Sequence, residues 1–232
     1  CCSVFRSLTP PGQMPAKKRP RGASRVLPLS QRPPQGAARK QRSVAPAMVV
    51  AVVVGLALRA LHWWSATGSP PRTVLLTNAA RYDAWAQRIT GGNPPLPPFD
   101  QPPLYPYLLA ATYTLAGHKP EWMLAVQAVA DALGCGLIAW MAGRCFGQRA
   151  AWAAGLLAAV FGPFIYHTAE LLPATFGLAL LVAGAACALA NGPVTAGLAF
   201  ATATLMRPES VLAALLVACW AWGPRSARSP RC

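Results

Sequence analysis

From Ala45 onward the chain alternates long apolar runs with short polar breaks. The runs are "APAMVVAVVVGLALRALHWW" (45–64), "WMLAVQAVADALGCGLIAWMAG" (122–143), "AAWAAGLLAAVFGPFIYH" (150–167), "LLPATFGLALLVAGAACALA" (171–190), "GPVTAGLAFATATLM" (192–206) and "VLAALLVACWAW" (211–222). A hydrocarbon core of about 30 Å takes roughly 20 apolar helical residues, so the pattern predicts about six crossings, the last two short for the task. The fold class that follows is all-α, a polytopic transmembrane helical bundle. One long interval breaks the pattern, residues 65–119. Within it "TNAARYDAWAQRITGG" predicts a short helix, with Asn78 as N-cap and Gly91-Gly92 as the stop. At about 100° per residue, Asn78, Tyr82, Trp85 and Ile89 share one stripe, flanked by Arg81 and Arg88 on one side and by Asp83 and Gln87 on the other. An aromatic stripe with basic flanks suits a helix lying at a membrane surface. "LYPYLLAATYTLAG" (104–117) is apolar but too short to span, which predicts a second interfacial or re-entrant helix.

Composition strengthens this picture: 54% of residues are hydrophobic and 12% charged, too apolar for an ordinary soluble surface. Charge then orients the bundle. The net charge is +15, from 21 basic and 6 acidic residues, and ten of the basic ones precede Ala47 with no acid among them. Residues 1–46 are therefore expected to be a disordered basic tail, since they lack the apolar surface needed to offset chain entropy. Residues 47–222 form the expected membrane domain, and 223–232 a second basic tail. Cytoplasmic segments carry the excess of Lys and Arg. With the N-terminus cytoplasmic, Arg144, Arg149, Arg225, Arg228 and Arg231 join the tail inside, leaving Arg59, Arg72, Arg81, Arg88, Lys119 and Arg207 outside. That orientation brings residues 65–119, the "YHTAE" turn at Glu170 and the "MRPES" turn at Arg207 to one extracytoplasmic face. The tail reads as a topology signal, with anionic headgroups as its alternative target, and nucleic acid is not an expected partner. No metal or cofactor is expected: the seven cysteines have no ligand spacing, His62, His118 and His167 are scattered, and no phosphate-cradling loop is present. Asp131 inside the second run is costly in lipid, hence either functional or paired with Gln127 or another helix. Trp63 and Trp64 read as an interfacial belt, with Arg59 one turn before them, and Arg207 reads as either a phosphate grip or a snorkelling anchor.

The order "LALRALHWW", "NAARYDAWAQRI", "QPPLYPYLLAATYTLAG", "MAGRCFGQRAA", "FIYHTAELLPATF" and "LMRPES" resembles the membrane glycosyltransferases of the C fold, over about Val49 to Val217. The nearest group is the family-39-like transferases related to protein mannosyltransferases and lipid A aminoarabinose transferases. Those enzymes are usually about twice this length, so the resemblance implies an N-terminal portion; the ending "GPRSARSPRC" does not resemble them. The resemblance implies a multi-pass protein of the plasma (inner) membrane that moves a sugar from a polyprenyl-phosphate donor to a hydroxyl on lipid, glycan or protein, outside the cytoplasm and with inversion. Such chemistry takes one general base and cations for the departing phosphate. The base candidates are Asp83, Asn78 and Glu170. Tyr82, Arg81, Arg88, Gln101, Tyr105 and Arg207 are the implied substrate-binding residues. The chain departs from the family pattern at three places. Asn78 stands where a first-loop carboxylate is usual, and an amide cannot take up a proton. Ala174 stands where an acid often follows the second outer loop's proline, with Glu170 one turn earlier. Gln101 stands where the aminoarabinose transferases have a lysine. Two other readings stay open on sequence, a non-catalytic or truncated relative that binds lipid phosphate or a partner, and a small transporter.

Overall fold

The computed structural model describes residues 43–65, 77–93 and 101–222. The expected tails, at 1–46 and 223–232, fall almost wholly outside the described residues. Among those described, every regular element is helical: α1 (Ala45–Ser65), α2 (Thr77–Thr90), α3 (Leu104–Ala116), α4 (Pro120–Phe146), α5 (Gln148–Val160), α6 (Gly162–His167), α7 (Ala174–Leu189), α8 (Pro193–Met206) and α9 (Ser210–Trp222). Prolines set many of the boundaries, because a proline suits the first turn of a helix and opposes a helical conformation in the residue before it. Pro120 and Pro193 open α4 and α8. Pro163 splits the expected third span into α5 and α6, with Phe161 extended between them. Pro208 ends α8 by holding Arg207 extended, at φ −147° and ψ 107°.

α1 and α4 are long and apolar enough to cross a membrane; α7, α8 and α9 are shorter apolar helices. At 1.5 Å per residue, the 14 residues of α8 span about 21 Å, short of a 30 Å core. The six crossings expected from sequence are therefore met by two helices of full length. The outer surface is apolar: Val49 and Val53 of α1 and Leu212, Leu215 and Leu216 of α9 are all more than half exposed. A surface of that kind, like the two long helices, suits a lipid environment.

α1, α4 and α5 pack together, α7, α8 and α9 form a second group, and the α4–α7 contact joins the two. Small residues allow the first group its close approach: a Cβ on Gly155 of α5 would lie 2.8 Å from Ala139 Cβ and 3.0 Å from Ala51 Cβ. Inside this group Arg59 is buried. Its guanidinium donates to Asp131 Oδ2, through Nε at 2.5 Å and through a second nitrogen, and to the carbonyls of Gly55 at 2.8 Å and Ala159 at 3.3 Å. Asp131 thus pairs with another helix, and the two charges offset each other's burial. Of the internal cysteines, Cys135 is buried and Cys219 is exposed.

Candidate active site

α2 is the predicted loop helix, begun two residues earlier than expected and rotated. It begins at Thr77, so Asn78 lies inside the first turn instead of capping it. Its end is as expected: Gly92 has φ +78°, Gly92 N–H donates to Ile89 O and Asn93 N–H to Arg88 O, the paired bonds of a Schellman stop. The buried face carries Tyr82, Asp83 and Ala86, with Ala79 and Ile89 half-buried beside them. That face is turned toward Asp83 relative to the stripe predicted from sequence, because Tyr113, His118 and Gln87 supply hydrogen bonds that let the carboxylate be buried.

One hydrophobic cluster ties the segments of this end together. It contains Tyr82 and Ala86 of α2, Tyr105, Leu109 and Tyr113 of α3, Met123 of α4, Leu171 from the α6–α7 turn and Met206 at the end of α8. The Tyr82 ring meets Tyr105 edge-on with centroids 5.1 Å apart, and Tyr105 leans on Phe176 of α7 at 6.4 Å. The loop helices, the Glu170 turn and the Arg207 turn therefore meet at one end of the bundle.

Four groups of polar residues surround this cluster. In the first, Asp83 accepts from the Tyr113 hydroxyl, from Gln87 Nε2 at 2.7 Å, and lies 3.0 Å from His118 Nε2. Burial, and then the bond to Asp83, push the Tyr113 hydroxyl far above its ordinary range, so it stays a donor. In the second, Gln101 Nε2 donates to Asn78 Oδ1 at 3.2 Å. The third centres on Gln127, wholly buried in α4: its carbonyl accepts from Tyr105 Oη at 2.7 Å and its amide donates to the Glu170 carbonyl at 2.8 Å. Gln127 thereby links α3 to the turn bearing Glu170. That carboxylate is partly exposed, accepts from Tyr166 Oη at 2.7 Å and has its other oxygen 3.7 Å from His167 Nδ1.

The fourth is cationic. Arg207 lies along α7 at Gly177, where a Cβ would come within 3.0 Å of its Cδ, and its Nε donates to Glu209 Oε1 at 2.6 Å. Glu209 is held below the ordinary carboxylate range, by a backbone N–H and then by Arg207. Burial raises the Tyr82 hydroxyl, while Arg207 and then Arg81 act to lower it. Arg88 is exposed on the last turn of α2.

Of the residues singled out from sequence, Tyr82 and Tyr105 meet in one cluster with Met206, which Arg207 follows in the chain, Arg81 is exposed on α2 beside Tyr82, and Asn78 meets Gln101. Asp83 points into the fold, and Glu170 is tied in through Gln127. Sequence reasoning missed Gln127, Tyr113, His118 and Glu209. A glutamine inside an apolar span is a signal in its own right, and Gln127 was weighed only as a partner for Asp131. Among the described residues no group of three or more His, Cys, Asp or Glu side chains is placed to hold a metal ion.

Comparison with curated proteins and with solved structures gives no match. Against family models, residues 100–230, more than half of the chain, match dolichyl-phosphate-mannose-protein mannosyltransferase. The matched residues include Gln101, Tyr105, Gln127, Glu170 and Arg207, while α1 and α2 precede them. On that match, the chain belongs to the dolichyl-phosphate-mannose-protein mannosyltransferase family, a family of membrane glycosyltransferases.

Proposed function

We propose that this protein transfers a sugar from a polyprenyl-phosphate donor to a hydroxyl of a lipid, glycan or protein at the extracytoplasmic face of the plasma membrane. In this reading the N-terminus is cytoplasmic, and α5 with α6, α7, α8 and α9 complete about six crossings. The observation that carries it is the cluster at the end of an apolar bundle in which Tyr82 and Tyr105 meet Met206 of α8, with Arg81 adjoining Tyr82 and Arg207 adjoining Met206 in the chain. A lipid phosphate has the matching form, an anion on an apolar chain, and guanidinium groups bind phosphate oxygens well. Arg88, one or two turns further along α2, extends the basic surface.

The acceptor hydroxyl attacks the anomeric carbon, the bond from that carbon to the phosphate oxygen breaks, and polyprenyl phosphate leaves as an anion stabilised by Arg207 and Arg81. One displacement inverts the anomeric centre. The proton of the hydroxyl goes to a carboxylate. Glu170 suits this role better than Asp83, because it is partly exposed and Tyr166 occupies one oxygen, whereas both Asp83 oxygens are engaged by protein groups. Asn78 positions a hydroxyl without deprotonating it. Tyr105 packs behind Tyr82, and Gln127 holds the Glu170 turn against it.

The uncharged Asn78–Gln101 pair favours a second reading, retention of lipid phosphate without transfer. Both readings share a test. Purified protein should retain polyprenyl phosphate in native mass spectrometry, and Arg207→Ala should weaken that retention about tenfold or more, the scale of a lost charge-assisted bond of about 1.5–3 kcal/mol, with the thermal unfolding midpoint unchanged. Equal retention by parent and variant would reduce Arg207 to a membrane anchor.

A further inference from the structure

Asn78 and Gln101 lie 23 residues apart in sequence, and the bond between them uses one donor of Gln101 and one acceptor of Asn78. The carbonyl oxygen of Gln101 is buried and has no hydrogen-bond partner among the described residues. Leaving a buried acceptor unmatched costs on the order of 1–3 kcal/mol, and native proteins match nearly all such atoms. Exchanging the oxygen and nitrogen of both amides would keep the bond between them and leave a buried N–H group in the same place. One chemical group satisfies the site in either arrangement: a hydroxyl, which both donates and accepts. A phosphate oxygen, an acceptor only, satisfies one of the two.

We propose that the Asn78–Gln101 amide pair is a subsite for a neutral sugar hydroxyl of the donor. The proposal rests on the lipid-phosphate reading above and assigns the sugar its place beside the phosphate. Asn78 and Tyr82 are four residues apart in α2, so they stand on adjacent turns about 6 Å apart along the axis. A pyranose ring and the phosphate esterified to it are separated on the same scale. With the phosphate at Arg207, Arg81 and Tyr82, a ring hydroxyl reaches the amides. Neither amide carries a charge, so the pair recognises the sugar without competing for the phosphate.

Two soluble probes separate the contributions: citronellyl phosphate and its mannosyl and glucosyl esters, titrated into the detergent-purified protein. For the parent, at least one glycosyl ester should bind more tightly than citronellyl phosphate by about two- to tenfold, the size of one net hydrogen bond. Gln101→Leu should bring that ratio to about one while citronellyl phosphate binds as before, which also shows that the variant is folded. Should Gln101→Leu fail to bind either probe, Asn78→Ala at its exposed position serves instead, removing the partner that orients Gln101, and should also lower the ratio. Arg207→Ala should weaken both probes alike and leave the ratio in place. A parent ratio of one, or a ratio that survives in whichever variant still binds citronellyl phosphate, overturns the subsite and leaves the phosphate reading standing. If neither probe binds the parent, the phosphate reading falls and the subsite with it.

Discussion

Asp83 shows how much of a carboxylate's role depends on what folds over it. On a helical wheel it lies about 140° from Asn78, which leaves it either a solvated acid or a base. The structure buries it, with Tyr113, Gln87 and His118 around its two oxygens. Those partners come from α2 itself, from α3 and from the α3–α4 connection, so the carboxylate pins α2 to its neighbours. Replacing Asp83 by Asn exchanges one acceptor oxygen for a donor and sets an N–H against the hydrogen of Tyr113 or Gln87. The expected loss is about 1–3 kcal/mol, read as a lower thermal midpoint and as faster proteolysis between Thr77 and Asn93. Tyr113→Phe should show a smaller fall, and wild-type stability in Asp83→Asn would return Asp83 to the candidate bases. Asn78 and Gln101 could be singled out from sequence because each departs from a recognisable family motif. Gln127 was legible as a polar residue inside an apolar run, but its role was not, and neither was that of His118, since their partners, Tyr105, Glu170 and Asp83, lie 22, 43 and 35 residues away in sequence.

At the level of elements, hydropathy located the helices and prolines divided them. Apolar runs at 45–64 and 122–143 correspond to α1 and α4, whose length is set by the run itself. The split at Pro163 and the shortness of α8 and α9 were visible as residues, but the packing that tolerates them was not. α2 was legible as a helix, down to its glycine stop, yet its rotation was not, because Tyr82 lies on both the predicted stripe and the observed buried face. The burial of Arg59 was not legible for a related reason: Asp131, its partner, is 72 residues away. The close approach of α1, α4 and α5 makes a sharp test at Gly155. Gly155→Val would drive its side chain into Ala139 and Ala51, whose Cβ atoms have no rotamer to yield, and should cost about 1–3 kcal/mol of stability. Gly197→Ala, where an added Cβ meets nothing within 4 Å, should leave the thermal midpoint unchanged. Equal effects at the two sites would mean that α5 does not seat between α1 and α4.

Across the whole molecule, the polar chemistry gathers at one end of an otherwise apolar bundle. Tyr82, Tyr105, Leu171 and Met206 draw three distant stretches of chain into one cluster, and Arg81, Glu170 and Arg207 each adjoin one of its members in the chain. The family match covers Gln101, Tyr105, Gln127, Glu170 and Arg207, while Asn78 and Arg81 precede it. The central claim is that this end moves a sugar, and sugar transfer measures it most directly. Membrane vesicles containing the protein, given polyprenyl-phosphoryl mannose or glucose labelled in the sugar, should pass label from the polyprenyl pool to a hydroxyl-bearing acceptor fraction. Glu170→Gln should slow that passage by about 10² to 10⁴, the contribution of a positioned general base, while retention of polyprenyl phosphate is unchanged. No transfer from either labelled donor above protein-free vesicles, with polyprenyl phosphate still retained, would contradict the catalytic account and leave a lipid-phosphate binding protein.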